Sequence, residues 1–246
     1  MRLKTYLLSL FFLLIPFVAF GEDIQEENNT EEYKNQIEIS YSDSSGNTNT
    51  ETLAVKYKLR KEWKKARFYS DGSYLLKFDE DEKTTEQLDI DSRFEFDLSE
   101  RSLFFLKNFI KRDIFAGYDL RIGLGPGIGY QVIKEEKQSL KVFIGIDYTY
   151  NDYTENGEET YTALDISTEY QRQFVRDLTF IQKASYLVSL RDSKDYFVNS
   201  ETKLEIPITK RTMLGISYKI EYRNILPDEA EYHTDKLFLV SWIYRF

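Results

Sequence analysis

The chain has 246 residues, 33 Lys+Arg against 42 Asp+Glu for a formal net charge of −9, and no cysteine. The acidic balance argues against nucleic acid, which requires a basic face, and the missing cysteines exclude disulfides, thiolate metal sites and a cysteine nucleophile. A charged fraction of 30% and a mean hydropathy of −0.50 suit a soluble domain, but also a membrane barrel, in which only one face of each strand meets lipid. The 19 Tyr and 18 Phe match the aromatic girdles of such a barrel.

Arg2 and Lys4 precede an almost unbroken apolar run from Tyr6 to Phe20, and Ala19-Phe20-Gly21 places small residues at a cleavage site. That run is too short and wrongly flanked for a spanning helix, so residues 1–21 read as a cleaved secretory signal. No cysteine follows it, which excludes a lipoprotein. Residues 22–34 are acidic and lack apolar periodicity, the pattern of a disordered periplasmic leader. From 35 to 246 one unit repeats, a strand and then a turn.

Strict alternation of apolar and polar residues marks a strand with two different faces. Ile37, Ile39 and Tyr41 define a strand over 35–43, and Gly46-Asn47 turns the chain. Strands follow over 50–60 (Leu53, Val55, Tyr57, Leu59) and 65–78 (Phe68, Tyr74, Leu76, Phe78). The clearest spans 87–98, with Leu88, Ile90, Phe94, Phe96 and Leu98 on one face and Asp89, Asp91, Arg93, Glu95 and Asp97 on the other. A fifth, over 102–112, is the least regular. The sixth, 118–132, sets Tyr118, Leu120, Ile122, Leu124, Ile128 and Tyr130 against Asp119, Arg121 and a ladder of Gly123, Gly125, Gly127 and Gly129. Further strands run over 139–150, 161–171, 178–190, 196–206 and 212–223. In the last two, Lys203, Glu205, Lys219, Glu221 and Arg223 share the polar face.

The final strand, 233–246, carries Phe238, Val240, Trp242, Tyr244 and Phe246 at every second position up to the terminal carboxylate. A free terminus is normally frayed and polar. An aromatic strand ending on Phe is the ending by which outer-membrane barrels are recognised by their assembly machinery. The expected fold is therefore an all-β, transmembrane, antiparallel up-and-down barrel of twelve strands, or ten if the first and fifth fail. An even count is the rule for single-chain bacterial barrels. With both termini periplasmic, the connections at 79–86, 151–160 and 224–232 fall outside and are acidic, whereas Lys61 to Lys65, Lys134 to Lys137 and Thr209 to Thr212 form shorter inner turns. Outer-membrane lipid, lipopolysaccharide and the barrel assembly machinery are the expected partners of a monomer in a two-membrane bacterium.

Two stretches carry a family resemblance: Ser45-Gly-Asn-Thr-Asn-Thr50 with the alternating strand and Trp63 after it, and the hairpin Leu204-Glu-Ile-Pro-Ile-Thr-Lys-Arg211 before the aromatic ending. Over roughly 35–246 the chain resembles a bacterial family known as salt-induced outer-membrane proteins (domain of unknown function 481). The resemblance implies an outer-membrane barrel and supplies no catalytic residues.

Chemistry has little to stand on. His233 is the single histidine, beside Thr234 and Asp235 at the start of the last strand; a lipid-cleaving barrel would pair it with a serine, and a rim position is the plainer reading. One histidine and no cysteine do not build a zinc site, and Asp79 to Glu82 lacks the spacing of a calcium loop. The glycine ladder alternates within a strand instead of opening a helix, so it is not a nucleotide loop; it leaves room for a neighbouring Arg or Tyr, or for a pathway. No catalytic, cofactor-binding or metal residue is expected. The lumen carries the information: by parity Asp89, Asp91, Arg93, Glu95, Asp97, Asp119, Arg121, Lys203, Glu205, Lys219, Glu221 and Arg223 point inward. Such charges either line a narrow passive channel or pair into a network that plugs a structural barrel.

Overall fold

A computed structural model describes residues 35–44, 50–155, 157–226 and 232–246. The segments expected to be a signal peptide and an acidic leader, the expected Gly46-Asn47 turn and the residues Asp228, Glu229 and Glu231 lie outside the described residues. Twelve strands follow in chain order: β1 (Gln36–Ser44), β2 (Thr50–Glu62), β3 (Ala66–Asp79), β4 (Glu82–Asp97), β5 (Ser102–Asp113), β6 (Tyr118–Lys134), β7 (Gln138–Tyr153), β8 (Gly157–Gln173), β9 (Thr179–Ser189), β10 (Tyr196–Pro207), β11 (Thr212–Arg223) and β12 (Thr234–Arg245). Each pairs antiparallel with its chain neighbours, and β1 pairs with β12, so the sheet closes into a barrel without edges. The irregular fifth strand is fully formed, and the count is twelve.

Closure is finished by the last residue. Phe246 exchanges both backbone hydrogen bonds with Asn35, at 3.0 and 3.1 Å. This is why an apolar C-terminus does not fray: its peptide group belongs to the ladder. The side chains of Phe238, Val240 and Trp242 are exposed on the outer face, together with Ile122, Leu124, Ile128, Ile144, Ile146 and Tyr148. Aromatic rings gather near both rims of this apolar belt. Trp63, Phe94, Phe96 and Phe104 stand in a chain of ring contacts at the end that holds the termini, as do Trp242, Tyr244 and Phe246. Tyr186, Tyr196 and Tyr222 do so at the opposite end.

Two expectations about the connections require correction. The acidic stretch 79–86 is not a loop: Glu80 and Asp81, both at positive φ (49° and 65°), make a two-residue turn, and the ladder resumes with Asp79 opposite Glu82. Likewise 151–160 shrinks, since β7 runs to Tyr153 and β8 starts at Gly157. Beyond the apolar belt both strand faces are polar, so alternation disappears from the sequence while the backbone ladder continues. The contrast of long outer and short inner connections is correspondingly weaker, and 224–233 is the one clearly long connection.

Candidate functional site in the barrel lumen

Strand parity places two rows of side chains on every strand, and the inward rows meet in the lumen. One wall of it carries a small apolar core. On β5 the inward residues are Leu103, Phe105, Lys107, Phe109 and Lys111, paired across to Gly129, Gly127, Gly125, Gly123 and Arg121 of β6. The glycines are required by the rings: a Cβ at Gly123 would come within 2.2 Å of the Phe109 ring, and one at Gly127 within 2.2 Å of Phe105. Leu103, Phe105 and Phe143 form a small buried core inside the barrel, Phe105 meeting Phe143 edge-on at 5.7 Å. Three of the ladder glycines, Gly123, Gly127 and Gly129, thus house phenylalanines, and Gly125 lies against Asp147 and the Ile146 carbonyl, rather than leaving room for an Arg, a Tyr or a pathway. Reading β5 from sequence failed to reveal this because Phe104, Leu106 and Ile110 on its outer face are also apolar, which erases the alternation.

Charge fills the remainder. Near the termini, Glu95 is fully buried and receives Arg67 at 3.0 Å, Arg93 at 2.9 Å and Lys141 at 3.7 Å; Arg93 reaches on to Glu169 at 3.1 Å. Asp97, exposed at the strand end, accepts from Arg67 at 3.0 Å. On the facing wall, Lys203 and Glu38 are 3% and 2% exposed and 2.5 Å apart, with Ser241 donating to the same carboxylate at 2.6 Å. Glu205 gathers Lys203 at 3.2 Å and Arg245 at 2.8 Å. Higher up, Asp89 is buried between Lys219 at 3.5 Å and Lys111 at 3.9 Å, and Glu221 pairs with Lys219 at 3.1 Å. Lys107 bridges Asp147, at 2.8 Å, and Asp165. Removing one member of such a buried set strands a charge, which costs far more than the pair contributes.

The middle of the lumen differs. Asp71 of β3 and Lys183 of β9 form an ion pair of 3.0 Å although their side chains are 39% and 37% exposed. These strands stand opposite one another in the ring of twelve. A round barrel of this size would measure roughly 24 Å across its backbone at a strand spacing of about 4.7 Å and a tilt of about 40°. An aspartate and a lysine joined end to end span roughly 13 Å, so the barrel is flattened, with its narrow axis between β3 and β9. Asp91, on the neighbouring strand, is also open to water; Lys111 and Lys183, the cations that act on it through space, bond instead to Asp89 and Asp71.

Of the residues placed inward by parity, Asp119 is the exception. A register shift between Tyr118 and Leu120 turns Tyr118 into the lumen and leaves Asp119 exposed. This bulge re-aims a side chain where strict alternation predicts the reverse. Arg121 and Arg223 lie in the lumen near the rim, stacked on aromatic rings. Asp71, Lys107, Lys183, Glu38 and Glu169 were missed as lumen charges, although the same parity count locates them once strand registers are known. His233 is exposed at the rim, stacked on Tyr222 at 6.0 Å, with Nδ1 donating to the Arg223 carbonyl oxygen at 2.7 Å. Among the described residues no group of three or more His, Cys, Asp or Glu is placed to hold a metal ion.

The family model described as "Protein of unknown function, DUF481" matches residues 37–246. Among curated proteins the chain is similar to the uncharacterized protein YdiY of Escherichia coli (strain K12), 24% identical over 204 residues, covering 83% of this chain and 79% of that protein. Among solved structures it is similar to the NanC porin, with a TM-score of 0.55 and 9% identity, covering 86% of this chain and 99% of that one. It is also similar to the KdgM porin in complex with disordered oligogalacturonate, at a TM-score of 0.48 and 8% identity over 86% of this chain and 99% of that one. At these identities the likeness to solved structures is one of fold alone.

Proposed function

The chain belongs to the DUF481 family of proteins of unknown function, and from that premise we propose that it is an outer-membrane barrel whose lumen is a narrow aqueous passage for small ions. The observation that carries this reading is the water-exposed Asp71–Lys183 pair halfway along the barrel: a plugged interior would leave those groups dry, as it does Glu38 and Lys203. The outward apolar belt between aromatic rims suits a bilayer, which makes outer-membrane lipid and lipopolysaccharide its surroundings and the assembly machinery the reader of its Phe246 ending. Fold likeness to a porin agrees with the same class. Transport here is selection by charge and width, with Asp71, Asp91 and Lys183 facing the passing ion and no bond made or broken.

A second reading, a non-conducting envelope barrel, draws on the small apolar core of the lumen around Phe105 and Phe143. The folded protein in a planar bilayer separates the two. A passage gives small discrete current steps; Asp71→Asn, which removes the ion-pair partner of Lys183, moves ion preference toward anions, and Lys183→Met moves it toward cations. A silent barrel of normal heat-modifiable mobility overturns the channel reading and leaves the structural one.

A further inference from the structure

At the end of the barrel away from the termini, two arginines occupy the lumen with no carboxylate of the described residues in ion-pair reach. Elsewhere in the lumen Arg67, Arg93 and Arg245 each bind a glutamate. Arg121, 6% exposed, instead donates from Nη2 to the Tyr161 hydroxyl at 3.0 Å, and its buried Nε has no partner. The Nε of Arg223 is buried and unpartnered in the same way, as are the Tyr118 hydroxyl and the Asn151 Oδ1.

The two guanidinium groups share one pair of rings. Arg121 lies 3.9 Å from the centre of Phe197 and 5.7 Å from that of Tyr118. Arg223 lies 4.4 Å from Tyr118 and 5.1 Å from Phe197. Stacking fixes the planes of both forks and leaves the buried Nε donors at their edges unfilled. Acids nearby are engaged or held back: Glu159 pairs with Arg191, Glu221 with Lys219, and Asp195, which acts on both arginines through space, stays beyond ion-pair distance. Two like charges brought together with unfilled donors and no ion-pair partner among the described residues are costly unless a ligand completes them. Access is through Arg223, which stands with Tyr153, Glu158, Glu159 and Arg191 in the wall of a cavity of about 550 Å³ at this rim; Arg121 and Tyr118 are buried outside that wall.

We propose that Arg121 and Arg223, with the Tyr118 hydroxyl as a further donor, form a binding site for an oxyanion, a carboxylate or a phosphate, at the mouth of the barrel. Planar forks match the oxygen geometry of either group and bind it more strongly than a neutral donor does. The site lies beyond the waist formed by Asp71 and Lys183, and it stands whether or not the lumen conducts.

The test is calorimetric titration of the full chain, refolded into detergent micelles at low ionic strength, with inorganic phosphate and separately with acetate. Saturable binding of one equivalent of either probe is expected, and which probe binds more tightly distinguishes phosphate from carboxylate ligands. Arg223→Gln, at a strand end where the fold tolerates change, weakens binding at least about tenfold, Arg121→Gln does the same, and Arg172→Gln on the outer surface leaves it unchanged. If Arg121→Gln does not fold, Arg223→Gln decides alone. Absence of saturable binding for both probes, or binding undiminished in Arg223→Gln, overturns the proposal.

Discussion

Gly123 gives the sharpest test of how the lumen is built. A Cβ at this position meets three atoms of the Phe109 ring at 2.2, 2.3 and 2.9 Å, and its three nearest neighbours include no backbone atom. The ring would have to retreat by roughly 1 Å or more to reach ordinary contact, yet Phe109 is buried and carries the Arg121 guanidinium 5.6 Å above it. Overpacking of this kind costs about 1–3 kcal/mol, and the tightness of the approach points to the upper end. The lower chain entropy of alanine in the unfolded state returns about 0.4–1 kcal/mol, leaving a net destabilisation of about 2 kcal/mol for Gly123→Ala. Because the obstacle is a single side chain, Phe109→Ala removes it. Gly123→Ala introduced into that background should cost less than about 0.5 kcal/mol, a coupling of about 2 kcal/mol between the two sites. Urea unfolding of the barrel in lipid vesicles, followed by Trp63 and Trp242 fluorescence, measures all four corners of the cycle. Additive losses, or a Gly123→Ala variant within about 0.5 kcal/mol of the parent, would refute the placement of Phe109 over the glycine ladder.

Deleting Phe246 removes the backbone pair with Asn35 and the last exposed aromatic; outer-membrane assembly in cells should fall while export continues, as read by heat-modifiable mobility in the membrane fraction. Ile146→Arg places a charge on the outer face of β7, where Ile146 is exposed, and should cost about 2–4 kcal/mol near the bilayer midplane; loss of stability in vesicles but not in urea-matched detergent locates the cost in lipid contact. Burial pushes the Asp195 carboxyl above the ordinary aspartate range, against the pull of Arg121 and Arg223. Its charge therefore opposes folding at neutral pH, and that opposition is lost as pH falls through its folded pKa. Phosphate binding at the two arginines should strengthen over the same interval, and Asp195→Asn should bind phosphate more tightly at neutral pH and lose that part of the pH dependence, measured by titration at a series of pH values.

Much of this molecule is written in local patterns. Alternation with a period of two follows from the pleat, so Leu88 to Leu98 and Phe238 to Phe246 disclose both their strands and their faces without any neighbour being known. The same parity separates Arg93 and Glu95 from Phe94 and Phe96, and it holds for Lys203, Glu205, Lys219 and Glu221. Where it misled, the cause was local: a bulge at Tyr118–Leu120 displaced Asp119, and two-residue turning at Glu80-Asp81 absorbed an apparent loop into the ladder. What parity cannot supply is distance across the lumen. Lys183 meets Asp71 although 112 residues separate them in the chain, Phe109 closes over Gly123, and Arg121 of β6 reaches the Phe197 ring of β10, whose cross-strand neighbour on β11 is Arg223, because closure of the sheet turns strands far apart in sequence toward one lumen. The period of the strand is a property of the backbone and legible in any stretch of ten residues; which lumen charges find partners, and which two arginines find none among the described residues, depends on how the sheet closes on itself, and only the assembled structure decides that.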